Sequence, residues 1–404
     1  MKIALVDNMN NNFFSIARYF IDMGIDTTLY LIPGSIDEHF LPQNDTFKDI
    51  RTMDWIKYFP SSYSWSDSIF PRVKEIHSEF SKYDHVIACG FSVGLLHHSG
   101  IRISLFIPYG GDLCNTPFIR VPNFRQIIKA IPRTLVNIIS SRMQSGGIRD
   151  SNYVITNRSW EVLENSLKRL KIEKYRVEVV NLPRLMIYPE DCNHKISKKW
   201  DFMSNYDFIV FSPSRHLWKT NNDLISGFKR YGGIKRNDKL IRAFARVVHD
   251  GIYTNPCLIL FEYGDDVDAS KNLIEEYEIN SHVTWLPLMP RKELTIGMAK
   301  ASLVADQFRK GMSSTSAGVT NEALSVGVPV VTNTDGAISN PDDPYFNSPI
   351  IETLNEDDIY SIFLDYAKSC EKYREIGLKS KKSFQDNLGI GLAKQYMTLL
   401  NKIV

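Results

Sequence analysis

The residues best suited to chemistry lie late in the chain. Glu322 stands at the start of a helical run, directly after MSSTSAGVT (312–320), a loop rich in serine, threonine and glycine. Small side chains let backbone N–H groups come close to a diphosphate, and the amino end of a helix favours an anion. Gly318, Val319 and Thr320 are therefore candidate phosphate contacts. A carboxylate at the position of Glu322 is able to accept hydrogen bonds from a ribose diol; its plainer reading is that it complements the helix dipole. Further forward, PYGGDL (108–113) follows an apolar run. There Asp112 and Tyr109 are candidate polar contacts at a strand end, or else part of an ordinary turn in which the aspartate caps the next helix. Asn8 to Asn12 hold four asparagines among five neighbours. Their amides offer both donors and acceptors, which suits hydroxyl-rich ligands and equally a solvated turn.

Other chemistries are excluded. The five cysteines, Cys89, Cys114, Cys192, Cys257 and Cys370, are scattered. They show no CxxC or Cys/His spacing, so neither a disulfide framework nor a metal site is expected. His97 and His98 are adjacent and point apart on any regular element. A Ser–His–Asp arrangement and a Walker-type loop are both missing. The formal net charge is +2 over 404 residues, which argues against nucleic acid as the main partner.

The elements that must position these residues read as alternating strands and helices. At 404 residues, 43% hydrophobic and 23% charged, the chain suits two cores of roughly 200 residues each. Residues 2–7 (KIALVD), 27–32, 84–89, 103–108, 152–156 and 176–181 are short apolar or β-branched runs of the kind that form buried parallel strands. Phe13, Ile16, Ala17 and Phe20 repeat at helical spacing, and Gly24 ends that helix. Residues 35–80 read as a loop with short helices, and the polar stretch 188–205 as a linker. A second series follows, with strands at 208–214, 257–264, 282–287, 302–308 and 329–333 and helices at 237–249, 270–278, 291–299 and 321–326. Residues 356–383 form one amphipathic helical stretch, and 389–404 a last helix packing back on the first domain. The expectation is α/β, with domains 1–190 and 205–384.

The order KRNDKLIRAFARVV (235–248), CLILFEYGDD, HVTWLP, ASLVADQF and NEALSVGVPVVTN resembles the carboxy-terminal domain of a large, mostly retaining glycosyltransferase family. That family includes sucrose synthases and bacterial glycan-assembly enzymes. The run from Glu322 to Val331 is the most specific part. The resemblance covers 205–335 well and 1–185 loosely. It implies two Rossmann-like domains facing across a cleft, the GT-B fold. It further implies that Glu322 meets the ribose, and that Arg215 and Lys235 match the basic pair that neutralises the leaving diphosphate, with Lys229 or Lys239 as substitutes for the lysine. PYGGDL resembles the family's His-Gly-x-Asp loop, Tyr109 standing where histidine is common, which implies that Asp112 binds the acceptor or the donor sugar and that Tyr109 bonds to a sugar hydroxyl. A second family glutamate, eight positions before Glu322, is replaced by Ser314. ADQF (305–308) looks like a subgroup with Asp-Gln there, which makes Asp306 a candidate sugar contact or a cap.

The resemblance thus implies transfer of a sugar from a nucleotide-sugar donor to a glycan or lipid-linked acceptor, with no cofactor beyond that co-substrate and no metal. An epimerase of the same architecture and a non-catalytic scaffold of glycan assembly are the competing readings. From Leu113 to Arg149 the chain carries no acid but has Arg120, Arg125, Lys129, Arg133, Arg142 and Arg149 among apolar residues. Such a segment, 117–149, suits the interface of an anionic membrane, or else a core helix with a basic edge. The aromatic residues at 55–70 would add to that face or stack on sugar rings. MKIALVDN is no secretory signal and no apolar run reaches about 18 residues, so a cytoplasmic setting is expected, with 117–149 as the segment for peripheral contact with the membrane.

Overall fold

The computed structural model describes all residues except 35–40, 63–69, 119–130, 157–160, 190–197, 220–233, 311–317 and 404, together with the side chains of 131–134 and 161. Cys192, Lys229, Ser314, Tyr63, Trp65 and most of the basic run 117–134 thus lie outside the described residues. The chain divides into two compact units, Met1–Tyr188 with Leu388–Val404, and Pro189–Asn387.

The first unit runs β1 (Lys2–Val6), α1 (Asn12–Asp22), β2 (Asp26–Leu31), β3 (Ile56–Tyr58), α2 (Val73–Phe80), β4 (His85–Ala88), α3 (Ser92–His98), β5 (Leu105–Phe106), α4 (Gly111–Cys114), α5 (Ile131–Asp150), β6 (Tyr153–Thr156), α6 (Glu161–Leu170) and β7 (Glu178–Asn181). Its strands pair in parallel in the order β3-β2-β1-β4-β5-β6-β7. Strand side chains alternate between faces, and both faces are covered. Ala4, Val6, Val86 and Phe106 join Ile76, Leu95, Ile148 and Leu163 in one core, while Ile3, Leu5, Ile87 and Leu105 join Phe13, Ala17 and Phe20 in another. This is why β1 reads as an unbroken apolar run rather than an alternating one.

The second unit runs β8 (Phe208–Ser212), α7 (Asn237–His249), β9 (Pro256–Phe261), α8 (Val267–Glu276), β10 (Val283–Leu286), α9 (Arg291–Met298), β11 (Leu303–Ala305), α10 (Gly318–Val326), β12 (Val330–Thr332), β13 (Ile351–Glu352), α11 (Glu356–Lys368) and α12 (Cys370–Asn387). Its parallel order is β10-β9-β8-β11-β12-β13. The last helix, α13 (Ile390–Leu400), belongs to the first unit. There Leu392, Tyr396 and Leu400 are fully buried and the Tyr396 hydroxyl donates to the Pro183 carbonyl at 2.6 Å. Each such side chain contributes about 1.5–3 kcal/mol by leaving water.

Both sheets have a switch point, β1/β4 in the first and β8/β11 in the second, where successive connections leave in opposite directions and open a crevice at the carboxyl strand ends. Three elements differ from their sequence reading. β3 lies in the region read as loop and short helices, because a three-residue edge strand is too short to show a period, whereas the short helix α2 agrees with that reading. The stretch 356–383 breaks into α11 and α12 at Ser369, whose backbone (φ −143°, ψ 45°) is non-helical. β13 is two residues long and was not expected.

Candidate functional site

In the second unit the candidate residues gather at the carboxyl ends of β8 and β11. Asp306 is the first residue past β11 and Ser214 the second past β8. The Ser214 hydroxyl donates to Asp306 Oδ1 at 2.8 Å, and the Thr320 hydroxyl donates to Oδ2 at 2.8 Å. Lys235 Nζ lies 3.4 Å from Asp306 Oδ1 and donates to Gln307 Oε1 at 2.8 Å. The backbone of Lys235 bridges the two strand ends: its N–H donates to the Leu217 carbonyl, and its carbonyl accepts from Phe308 N–H.

Helix α10 begins at Gly318, earlier than the sequence suggested, so Gly318, Val319 and Thr320 form its first turn and Glu322 its fifth position. The amides of a first turn have no intrahelical partner and attract anions. Glu322 is buried, its side chain lying back towards the helix start: a Cβ on Gly318 would sit 3.6 Å from Oε1. That oxygen accepts from Arg291 Nε at 2.8 Å. Arg291, the first residue of α9, was missed by sequence reasoning, because nothing local distinguishes it from any basic residue opening a helix.

Arg215 is held by its neighbours. Ser214 is anchored as above, and His216 is fully buried, its Nδ1 2.7 Å from Ser270 Oγ and its ring 4.9 Å from the Trp285 ring. Burial pushes the His216 imidazole down to about 4, with Asp266 opposing. His216 N–H donates to Tyr263 and its carbonyl accepts from Asp266 N–H. This approach needs Gly264, whose φ is +110° and where a Cβ would lie 2.3 Å from the His216 carbonyl oxygen. Lys239 donates to the carbonyls of Phe308 and Leu354 at 2.9 and 2.7 Å. Burial and the neighbouring Arg236 lower its pKa. It works as a tie between loops, which leaves Lys235 as the described lysine best placed for a ligand.

In the first unit the site centres on β1, β4 and β5. Asp112 is 3% exposed. Its carboxylate accepts from the backbone N–H of Gly90, Gly110 and Leu113 at 3.0, 3.0 and 3.1 Å, and from Tyr109 N–H at 3.2 Å. Burial pushes its pKa up to about 6, against the pull of those amides and of Arg184. The carboxylate expected at a sugar therefore faces inward and ties the loop after β4 to the loop after β5. Gln144 Nε2 donates to the carbonyls of Gly90 and Asp112 in the same knot. Tyr109 is half-buried, and burial with Asp112 and Asp7 nearby raises its hydroxyl. Asp7 has φ +78°. Its Oδ2 occupies the place where Gly90, at φ +64°, would carry a Cβ, 2.1 Å away.

The asparagines after β1 turn inward as well. Asn8 Nδ2 donates to Asn11 Oδ1 and Asn8 Oδ1 accepts from Phe14 N–H. Asn12 bonds to the backbone of Arg184 and Met186 at 2.7 Å each. A pocket of about 420 Å³ opens nearby, where Asp7, Asn8, Leu31, Gln43, Arg51 and Tyr58 line it among other residues. Trp55 stacks on Phe14 and Phe59 is buried, so only part of the aromatic cluster is open; Tyr58 is 68% exposed. Among the described residues no group of three or more His, Cys, Asp or Glu side chains is placed to hold a metal ion, and no helix is long and apolar enough to cross a membrane.

No protein-family model and no curated protein matches the sequence. Solved structures do match over the whole chain. HepE of Anabaena in complex with UDP is 14% identical, with a TM-score of 0.60 and 100% of each chain covered. A glycosyltransferase from Rickettsia africae is 14% identical, with a TM-score of 0.59 and 99% of each chain covered. Sucrose-phosphate synthase from Thermosynechococcus elongatus is 11% identical, with a TM-score of 0.54, covering 100% of this chain and 99% of that one. At these identities the likeness is one of fold. The two parallel sheets of this chain have the GT-B architecture of glycosyltransferases.

Proposed function

We propose that the chain is a glycosyltransferase, moving a hexosyl group from a nucleotide sugar held by the second unit to a glycan or lipid-linked saccharide held by the first. The observation that carries this reading is that the segment bearing Arg215, Lys235, the first turn of α10 and the Glu322–Arg291 pair all lie at the carboxyl end of the second unit's sheet. As the bond from the sugar's anomeric carbon to the diphosphate breaks, negative charge grows on the leaving group. Fixed cations and helix-start amides at that place stabilise the transition state more than the bound donor. Arg215 and Lys235 supply that charge without a metal, the amides of Gly318, Val319 and Thr320 face the phosphates, and Glu322 accepts from the ribose hydroxyls. Tyr109 reaches the reacting sugars from a loop that Asp112 organises. The 420 Å³ pocket, with apolar walls and both hydrogen-bond donors and acceptors, suits an acceptor sugar ring.

The family resemblance supports retention of anomeric configuration and a role in bacterial surface polysaccharide or glycoconjugate synthesis, and the basic, apolar composition of 117–149 supports work at the cytoplasmic face of a membrane. UDP bound to HepE makes uracil the first base to test. The experiment is a thermal-shift panel of UDP, GDP, ADP, CMP and dTDP. One nucleotide is expected to stabilise the wild type, and Glu322→Ala to abolish that shift while still folding. An equal shift in the folded variant removes Glu322 from the site, and no shift from any nucleotide favours the scaffold reading.

A further inference from the structure

Asp306 is the junction of the second unit's site. Its side chain is wholly shielded from solvent, and three segments meet on its two oxygens: Ser214 and Lys235 on Oδ1, Thr320 on Oδ2. Because the carboxylate is shielded on every side, a sugar hydroxyl reaches it only if one of the groups that cover it moves aside. Ser214 and Thr320 are buried, and stranding a buried hydroxyl is costly. Lys235 is different, with 15% of its side chain open. A lysine stem loses much rotamer freedom when it is fixed. Asp306 and Gln307 hold its ammonium in place before any ligand arrives. Through Thr320 the same carboxylate grips the first turn of α10. The two groups that draw an anion are thereby set against one another by one buried acid.

We propose that Asp306 is a positioning residue for the donor's diphosphate and makes no contact with its sugar: it fixes Lys235 relative to the first turn of α10 and acts on the ligand through that lysine. This rests on the reading of the second unit as a nucleotide-sugar site. The negative charge of Asp306 by itself opposes an anion. Its benefit is geometric and must pass through Lys235.

The test titrates UDP and UDP-glucose into the full chain as wild type, Asp306→Asn, Lys235→Met and the double variant, with thermal midpoints as the check on folding. Asp306→Asn is expected to weaken both ligands by the same factor, about tenfold. In the Lys235→Met background it should add less than about twofold. A loss confined to UDP-glucose overturns the proposal in favour of a direct sugar contact. Equal losses with and without Lys235 overturn it in favour of a general structural role, and tighter UDP binding overturns it because charge then outweighs geometry. Should Asp306→Asn fail to fold, Thr320→Val and Ser214→Ala each remove one bond to the same carboxylate; each should weaken both ligands severalfold, and unchanged affinity sinks the idea. A wild type that binds neither these ligands nor any other nucleotide of the thermal-shift panel overturns the donor reading and the proposal with it; where another nucleotide of the panel binds, the same variants are titrated with that nucleotide. Wild-type binding with an unaffected Asp306→Asn variant overturns the proposal alone.

Discussion

At the scale of single residues, Glu322 and Arg291 show how a recognisable side chain depends on one that sequence did not point to. The Nε–Oε1 bond of 2.8 Å fixes the carboxylate of Glu322 at the start of α10. A hydrogen bond to a charged group contributes about 1.5–3 kcal/mol. Arg291→Lys keeps the charge but loses the directed N–H, and should weaken UDP binding about fivefold; Arg291→Ala should weaken it about tenfold or more. Calorimetric titration reads this directly, and full affinity in Arg291→Ala would show that Glu322 needs no such partner. Asp112 makes the complementary point. Its place in PYGGDL was legible, but its burial was not, because the amides that surround its carboxylate come partly from Gly90, which lies 22 residues away.

At the scale of elements, α5 is divided along its length. Met143, Gln144, Ser145 and Ile148 are buried. Its carboxy-terminal half packs closely on α3, since a Cβ on Gly94 would lie 2.9 Å from Gln144 N and the Cβ of any residue replacing Gly147 would lie 2.5 Å from the Val93 carbonyl oxygen. Towards its start Leu135 is 50% exposed, Val136 and Ile138 are half-buried, and Arg142 is exposed. If this end meets an anionic membrane, a Leu135→Glu, Ile138→Glu double variant should bind anionic vesicles at least about fivefold more weakly than the wild type, for loss of buried apolar area and added repulsion. Its thermal midpoint should stay within a few degrees. Vesicle co-sedimentation decides it, and equal binding of both proteins would remove α5 from any membrane contact. Helix α7, in contrast, needed no tertiary information: Asn237–His249 coincides with the span its apolar spacing predicts.

At the scale of the whole molecule, one buried group in each unit should tie stability to pH, and the two in opposite senses. Asp112 ionises near its ordinary 3.8 when unfolded and near 6 when folded. Between those values Asp112 holds more proton in the fold than in the unfolded chain, so its contribution to stability falls as pH rises, by about 3 kcal/mol across the window. His216 ordinarily titrates at 6.5 and in the fold at about 4. Here the unfolded chain binds more protons, so this contribution is complete above 6.5 and is lost as pH falls towards 4, again by about 3 kcal/mol. Urea unfolding at pH 4, 5 and 6 should show Asp112→Asn gaining on the wild type as pH rises, and His216→Gln gaining on it as pH falls. A constant difference across the series would show that neither group titrates in the fold as described.

Sequence alone determined the architecture and pointed to the region of the second unit's candidate site. Buried parallel strands must be apolar on both faces, helices between them must repeat at 3.6, and both signals are local. The run from Glu322 to Val331 is local too, and so was readable. Only the tertiary structure decided what each polar group does. Ser214 and Asp306 are 92 residues apart in the chain, Lys235 and Asp306 71, and Arg291 and Glu322 31. Hydrogen bonds act over about 3 Å, so partners this far apart in sequence are chosen by the order of strands in the sheet.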